Sequence, residues 1–176
     1  MTDFLSEAAS LQSFLQAVRQ TLHRAPELGN QEIKTSAYLR SILEPLGLTV
    51  ENPFGTALCA TLHGAKPGRT AALRADMDAL PVAEATGAEF SSQIHGVMHA
   101  CGHDIHMTAA VGAAMLLAAH RETLCGSVRF LFQPDEEGSG GAQRFVDAGC
   151  LRGVDAVFGA HVSPELPLGS VGIRYG

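Results

Sequence analysis

The chain has 176 residues, a net charge of −6, 46% hydrophobic and 17% charged residues. That is enough chain for one domain with a sizeable core, and it is too apolar for a disordered segment. It lacks the basic surplus that nucleic acid or an anionic membrane would call for, and no apolar run reaches the roughly 18 residues of a spanning helix.

The N-terminus, MTDFLSEAASLQSFLQAVRQ, carries acids where a secretory signal carries bases, so a cytoplasmic protein is expected. In a reducing compartment Cys59, Cys101, Cys125 and Cys150 are expected as thiols. Leu5, Leu11, Phe14, Leu15, Val18 and Leu22 recur at helical spacing, which predicts one amphipathic helix of about four turns, ending near His23 because Pro26 follows. HRAPELGN (23–30) reads as a loop. A second helix is predicted over 31–46, with Ile33, Ala37, Leu39, Ile42, Leu43 and Leu46 inward and Pro45 and Gly47 closing it. Strands follow at 48–51, 57–62 and 70–74, with HGAKPGR (63–69) joining the last two as a hairpin.

The segment AALRADMDALP (71–81) carries a strand into a loop bearing Asp76 and Asp78, spaced to share a face. VMHACGHDIH (97–106) packs His99, Cys101, His103, Asp104 and His106 together just ahead of an alanine-rich helix over 107–119. Cys101 and His103 point to the same side if that stretch is extended. A buried strand over 127–133 runs into PDEEGSGGA (134–142), followed by a helix over 142–148. The strand over 156–161 ends in His161, and another begins within 169–175. Helices interleaved with short apolar strands predict an α/β three-layer sandwich, where functional groups gather at strand carboxyl ends.

Each cluster has an ordinary explanation: a buried small thiol, loop-capping aspartates, a solvated acidic turn. Their convergence on one sheet edge favours metal instead. Neighbouring carboxylates repel unless a cation neutralises them, and divalent metals of borderline softness take thiolate and imidazole. One glutamate of the Glu136–Glu137 pair would bind metal while the other takes a proton from an activated water, giving amide hydrolysis without a covalent intermediate. A thiolate mechanism at Cys101 with His99 or His103 leaves the glutamates unexplained. There is no G-x-S-x-G elbow, and GSGG (138–141) lacks the phosphate-loop pattern.

LHRAPELGNQE (22–32), RADMDALP (74–81), MHACGHDIH (98–106), QPDEEGSGGA (133–142) and GAHVSPELPLGSVGIRYG (159–176) together resemble the M20 metallopeptidase family. The closer likeness is to its amidohydrolase branch: hippurate hydrolases, N-acyl-amino-acid amidohydrolases and indoleacetyl-amino-acid hydrolases. The resemblance implies an α/β/α sandwich around a mostly parallel mixed sheet of the zinc-exopeptidase kind. It also implies two divalent ions (zinc, manganese, nickel or cobalt) and a small N-acyl amino acid as substrate, with no nucleic acid or membrane partner. Magnesium and calcium suit a thiolate site poorly. Carried over by motif, Cys101, His103, Glu137 and His161 match metal ligands and Glu136 the general base. Asp78 and Asp104 would stand behind the ligands. Asp76 falls where other branches have a metal-binding histidine, so its direct ligation stays open. His23, His99 and His106 lie in matching motifs without an assigned role, and His63, His95 and His120 read as surface residues.

Family members are longer. Residues 1–176 are therefore expected to be the N-terminal part of the catalytic domain, truncated before a lid domain that mediates dimerisation and before the C-terminal part with a last histidine ligand. Alone, such a chain is expected to be weakly active or inactive, with exposed apolar edges. The alternatives are a non-catalytic metal-binding or interaction remnant and, more weakly, an M20-type dipeptidase.

Overall fold

A computed structural model describes residues 3–173. The single N-terminal helix expected from periodicity is two: α1, Phe4–Ser10, and α2, Gln12–Arg24. The break has a local cause. The Ser10 hydroxyl donates to the Glu7 carbonyl at 2.6 Å, and the Leu11 N–H bonds back only three residues, to Ala8, tightening the last turn. α1 buries nothing, whereas α2 buries Val18, Leu22 and His23.

The next helix, α3, spans Ile33–Leu43 and passes into a 3-10 turn, Glu44–Leu46, that ends at Gly47 with φ 77°. Its inner face differs from expectation. Ile33 and Ala37 are exposed, while Thr35 and Ser36 are buried beside Leu39 and Leu43. The Glu27 carboxylate accounts for the rotation, since it accepts the Thr35 N–H at 2.8 Å and the Thr35 hydroxyl at 2.9 Å.

Five strands follow: β1, Thr49–Glu51; β2, Leu58–His63; β3, Lys66–Asp76; β4, Cys125–Gln133; and β5, Ala156–Gly159. They form one mixed sheet in the order β1-β2-β4-β3-β5. β1 with β2 and β2 with β4 run antiparallel; β3 runs parallel to both β4 and β5. The expected β2–β3 hairpin is thus absent, because β4 lies between those strands. β4 is apolar on both faces, sending Phe130 and Phe132 into one core and Leu131 into the other, which suits it to the sheet centre. The link after β2 crosses the start of β4, with Gly64 N–H donating to Gly126 and Lys66 N–H to Leu124.

Two helices complete the layers. α4, His103–Ala119, begins four residues earlier than predicted, and α5, Gly141–Asp147, follows β4. The larger core packs α2, α3 and α4 on one sheet face, and the smaller packs Phe145 of α5 on the other, giving the α/β/α sandwich. β5 ends at Gly159, short of His161, and all four of its residues are exposed. Residues 169–173 form no strand, and the last part of that expected strand lies outside the described residues. Among the described residues no helix is long and apolar enough to cross a membrane. Cys59, Cys101, Cys125 and Cys150 are free thiols.

Parallel pairing of β3 with β4 aligns Asp76 with Gln133, so the loops after both strands leave from the same edge. α4 starts at that edge. The sheet centre holding these loops in register rests on Phe130, which is fully buried. Phe130→Ala should lower the free energy of unfolding by about 3–5 kcal/mol, read from urea denaturation.

Candidate metal centre

The site is built around His103, the first residue of α4. Gly102 before it has φ 88°, a conformation side chains rarely adopt, and a Cβ there would sit 2.5 Å from Val162 Cγ2. The stretch from Cys101 to His103 is therefore a turn leading into α4 and not an extended segment. It nonetheless brings the Cys101 thiol and the His103 ring together, with their ligand atoms and that of His161 within 4.8 Å of one another.

His103 is 1% exposed, and its Nδ1 lies 2.8 Å from the Asp78 carbonyl oxygen. A carbonyl only accepts, so Nδ1 carries the proton and Nε2 presents its lone pair when the ring is neutral. Nε2 is buried without a hydrogen-bond partner. Around it stand Asp76 Oδ2 at 3.7 Å, Glu137 Oε1 at 3.8 Å and Glu136 Oε2 at 3.9 Å. Cys101 Sγ and His161 Nε2 are 3.4 Å apart, and His161 Nδ1 donates to the Val162 carbonyl at 2.6 Å, leaving Nε2 as the acceptor side. Two donors held about 2.1 Å from one ion at tetrahedral angles lie about 3.4 Å apart. The three carboxylate oxygens stand just above that value from His103 Nε2 and outside hydrogen-bond range, while the 3.4 Å between Cys101 Sγ and His161 Nε2 is also the length of a thiol hydrogen bond.

The electrostatics point the same way. The Cys101 thiol is pushed up to about 11, by burial first and then by Glu137, Glu136 and Asp76. A nucleophilic cysteine needs the opposite, an electropositive setting that lowers its pKa, so the surroundings do not activate Cys101 as a thiolate nucleophile. They suit a cation, which would neutralise the carboxylates and favour the deprotonated thiol. Burial opposes ionisation of both Asp76 and Asp78. Their histidine partners, aided at Asp76 by Arg74 and at Asp78 by backbone N–H donors, outweigh it and hold both below the usual carboxylate range. Burial likewise disfavours charge on His103, but Asp78 and Asp76 overcome it and raise its pKa.

Not every candidate faces the cluster. Asp78 does double duty: besides its carbonyl contact to His103, its Oδ2 accepts the Glu137 N–H at 2.9 Å. Asp76 Oδ1 pairs with His106 Nδ1 at 2.6 Å, and Oδ2 with Arg74 at 2.7 Å. His106 Nε2 accepts the Val162 N–H at 3.0 Å, so both its nitrogens are engaged and it serves to hold Asp76 and the His161 segment. Asp104 turns to α2, where its Oδ2 accepts from His23 Nδ1 at 2.9 Å and Arg19 Nε at 3.0 Å. His63 and His95 are exposed as expected, and half-buried His120 pairs with Glu7 at 2.6 Å. The parts played by His106 and His23 were hidden in sequence. For His106 a signal existed, since it follows His103 by three helical positions and shares its face.

Residues 72–176 match the profile of peptidase family M20/M25/M40. Thermostable carboxypeptidase 1 of Saccharolobus solfataricus is 43% identical over 175 residues, covering 97% of this chain and 44% of that protein. The N-acyl-L-amino acid amidohydrolase of Geobacillus stearothermophilus is 46% identical over 162 residues, 91% of this chain and 44% of that protein. A crystal structure from Bacillus subtilis, a dinuclear metal binding peptidase from the M20 family, superposes with a TM-score of 0.91 at 42% identity, covering 96% of this chain and 47% of that one. The chain thus spans somewhat under half the length of these relatives.

Asp104 is fully buried, and its carboxylate is the shared acceptor for Arg19 and His23. Asp104→Ala should cost roughly 2–3 kcal/mol, the worth of a hydrogen bond to a charged group, as a lowered urea midpoint. Asp104→Asn, which keeps one acceptor, should cost less.

Proposed function

Because the chain belongs to peptidase family M20/M25/M40, a family of hydrolases, we propose that its site serves metal-dependent hydrolysis of the amide bond of N-acyl amino acids. One observation carries this reading: a buried imidazole nitrogen with no hydrogen-bond partner, ringed at ligand spacing by carboxylates and a thiol. The donor set fits a divalent ion of borderline softness such as zinc, manganese, nickel or cobalt. His103 through Nε2, Cys101, Glu137 and His161 would hold two such ions. Bound there, they would supply Lewis acidity that activates water and polarises the amide carbonyl.

The chain's own residues supply the rest. Among the described residues the Glu136 carboxylate accepts no hydrogen bond; its side chain is 38% exposed, and its Oε2 lies 3.9 Å from His103 Nε2. It is free to accept a proton from the attacking water and return it to the leaving amine. Asp78 keeps the proton of His103 on Nδ1, so that Nε2 remains a ligand. His106 and Arg74 hold Asp76 at the border of the cluster. The amidohydrolase from Geobacillus supports the choice of N-acyl amino acids as substrates; hippurate is the simplest aromatic member to test.

We assign residues 1–176 to the N-terminal part of the catalytic domain, with the lid through which the whole enzyme would dimerise, and the remaining catalytic segments, outside it. Turnover by this chain alone should then be slow. The test is metal content and hydrolysis of hippurate, with and without added zinc, manganese, cobalt or nickel. The chain should bind metal, and any turnover should stop with chelator and fall by about 10²–10⁴-fold in Glu136→Gln while metal binding persists. Metal-independent turnover, or full activity in Glu136→Gln, would refute the assignment.

A further inference from the structure

We propose that Glu32 and Asp135 are positioning residues that set the turn carrying Glu136 and Glu137, so that an N-terminal loop governs the geometry of the centre. The inference rests on the metal-centre reading above. Glu32, at the start of α3, is completely buried. Its Oε1 accepts the N–H of Asp135 at 3.0 Å, and its Oε2 accepts the Thr56 hydroxyl at 2.6 Å. No basic side chain contacts Glu32 among the described ion pairs, so an acidic group has been buried on hydrogen bonds alone, an arrangement that costs free energy.

What that bond holds is strained. Asp135 has φ 56°, and only it and Asn30 among the described non-glycine residues have positive φ. Such backbone is unfavourable and persists only where its surroundings over-determine it. Here they do. Asp135 Oδ2 accepts from Asn30 Nδ2 at 2.7 Å, from the Ser139 N–H at 3.2 Å and from the Ser139 hydroxyl. Its carbonyl accepts the N–H groups of Gly140 and Gly141, each at 3.1 Å. Asn30 Oδ1 is in turn held by Arg144 of α5 at 2.6 Å. Chain packs so closely that a Cβ on Gly29 or Gly138 would lie 2.3 or 2.2 Å from Asp135 Oδ1.

The strained residue immediately precedes Glu136. From the other side Asp78 takes the Glu137 N–H. The two glutamates are thus clamped between Glu32 and Asn30 before them and Asp78 beside them. A turn needed only to connect β4 to α5 would be satisfied by glycine at this position, without a buried glutamate from a distant loop.

The test compares Co²⁺ binding and amide hydrogen exchange in the chain, Glu32→Ala, Glu32→Gln and Asn30→Gly, with the urea midpoint of each recorded. Glu32→Ala should weaken Co²⁺ binding by about tenfold or more and alter the cobalt d–d spectrum, as removal of supporting groups behind ligands does. Glu32→Gln keeps an acceptor for Asp135 and a partner for Thr56, so it should bind within about threefold of the parent. Asn30→Gly keeps the backbone conformation while removing the side-chain contacts, and it should shift affinity in the same direction as Glu32→Ala even if that variant does not fold. Exchange at residues 136–139 should quicken in both weakened variants. Parental affinity and spectrum in folded Glu32→Ala or Asn30→Gly would overturn the proposal, whatever happens to stability. If the parent itself binds no Co²⁺, the metal reading fails separately; unchanged exchange at 136–139 then overturns the tie, and faster exchange upholds it.

Discussion

Asp78 is the residue on which the centre turns. Its carbonyl receives the His103 Nδ1 proton and its carboxylate receives the Glu137 N–H. A single residue, two past the end of β3, therefore sets the tautomer of an imidazole at the head of α4 and the backbone of a glutamate after β4. Three elements far apart in sequence are brought into one constellation by the two polar ends of a single side chain and its peptide. His106 makes the matching bridge on the other flank, between Asp76 and the N–H that follows His161. Because β3 and β4 are parallel and adjacent, these bridges span a short and rigid distance.

Such a cluster is held together against its own charge. Asp76, Asp78, Glu136 and Glu137 lie near one another, and the Cys101 thiol is pushed up by burial first and then by Glu137, Glu136 and Asp76. Cohesion comes from His106 and Arg74 on Asp76, from peptide N–H donors, and from the Asp78 carbonyl on His103. Occupancy by a cation would turn that repulsion into attraction, and a ligand that binds only the folded chain adds to its stability by mass action. The strained and buried groups around the acidic turn belong to the same balance, since they keep the donors in place.

How much of this could be read beforehand differs by level. The layer architecture and the gathering of chemistry at one sheet edge followed from apolar periodicity and from where the acids and histidines fall along it. The strand order did not. HGAKPGR looks like a hairpin because local turn chemistry carries no knowledge of β4, which arrives about sixty residues later and inserts between the two strands. The break at Leu11 likewise escaped a pattern that sees only spacing, since the backbone bends there through Ser10. Extended geometry was the wrong frame for Cys101 and His103, yet the left-handed turn at Gly102 brought the pair together all the same.

Asp104 shows most sharply why adjacency in a motif is not adjacency in a site. It follows His103 directly, and both begin α4, where consecutive side chains diverge by about 100°. His103 enters the cluster, so Asp104 must face elsewhere, and it meets Arg19 and His23 on α2. The same geometry returns His106 to the cluster three positions on. The helix start therefore decides which way His103, Asp104 and His106 face. Asp104 then acts at a distance: it anchors α2 to the first turn of α4, and with it the orientation from which His103 presents its free nitrogen.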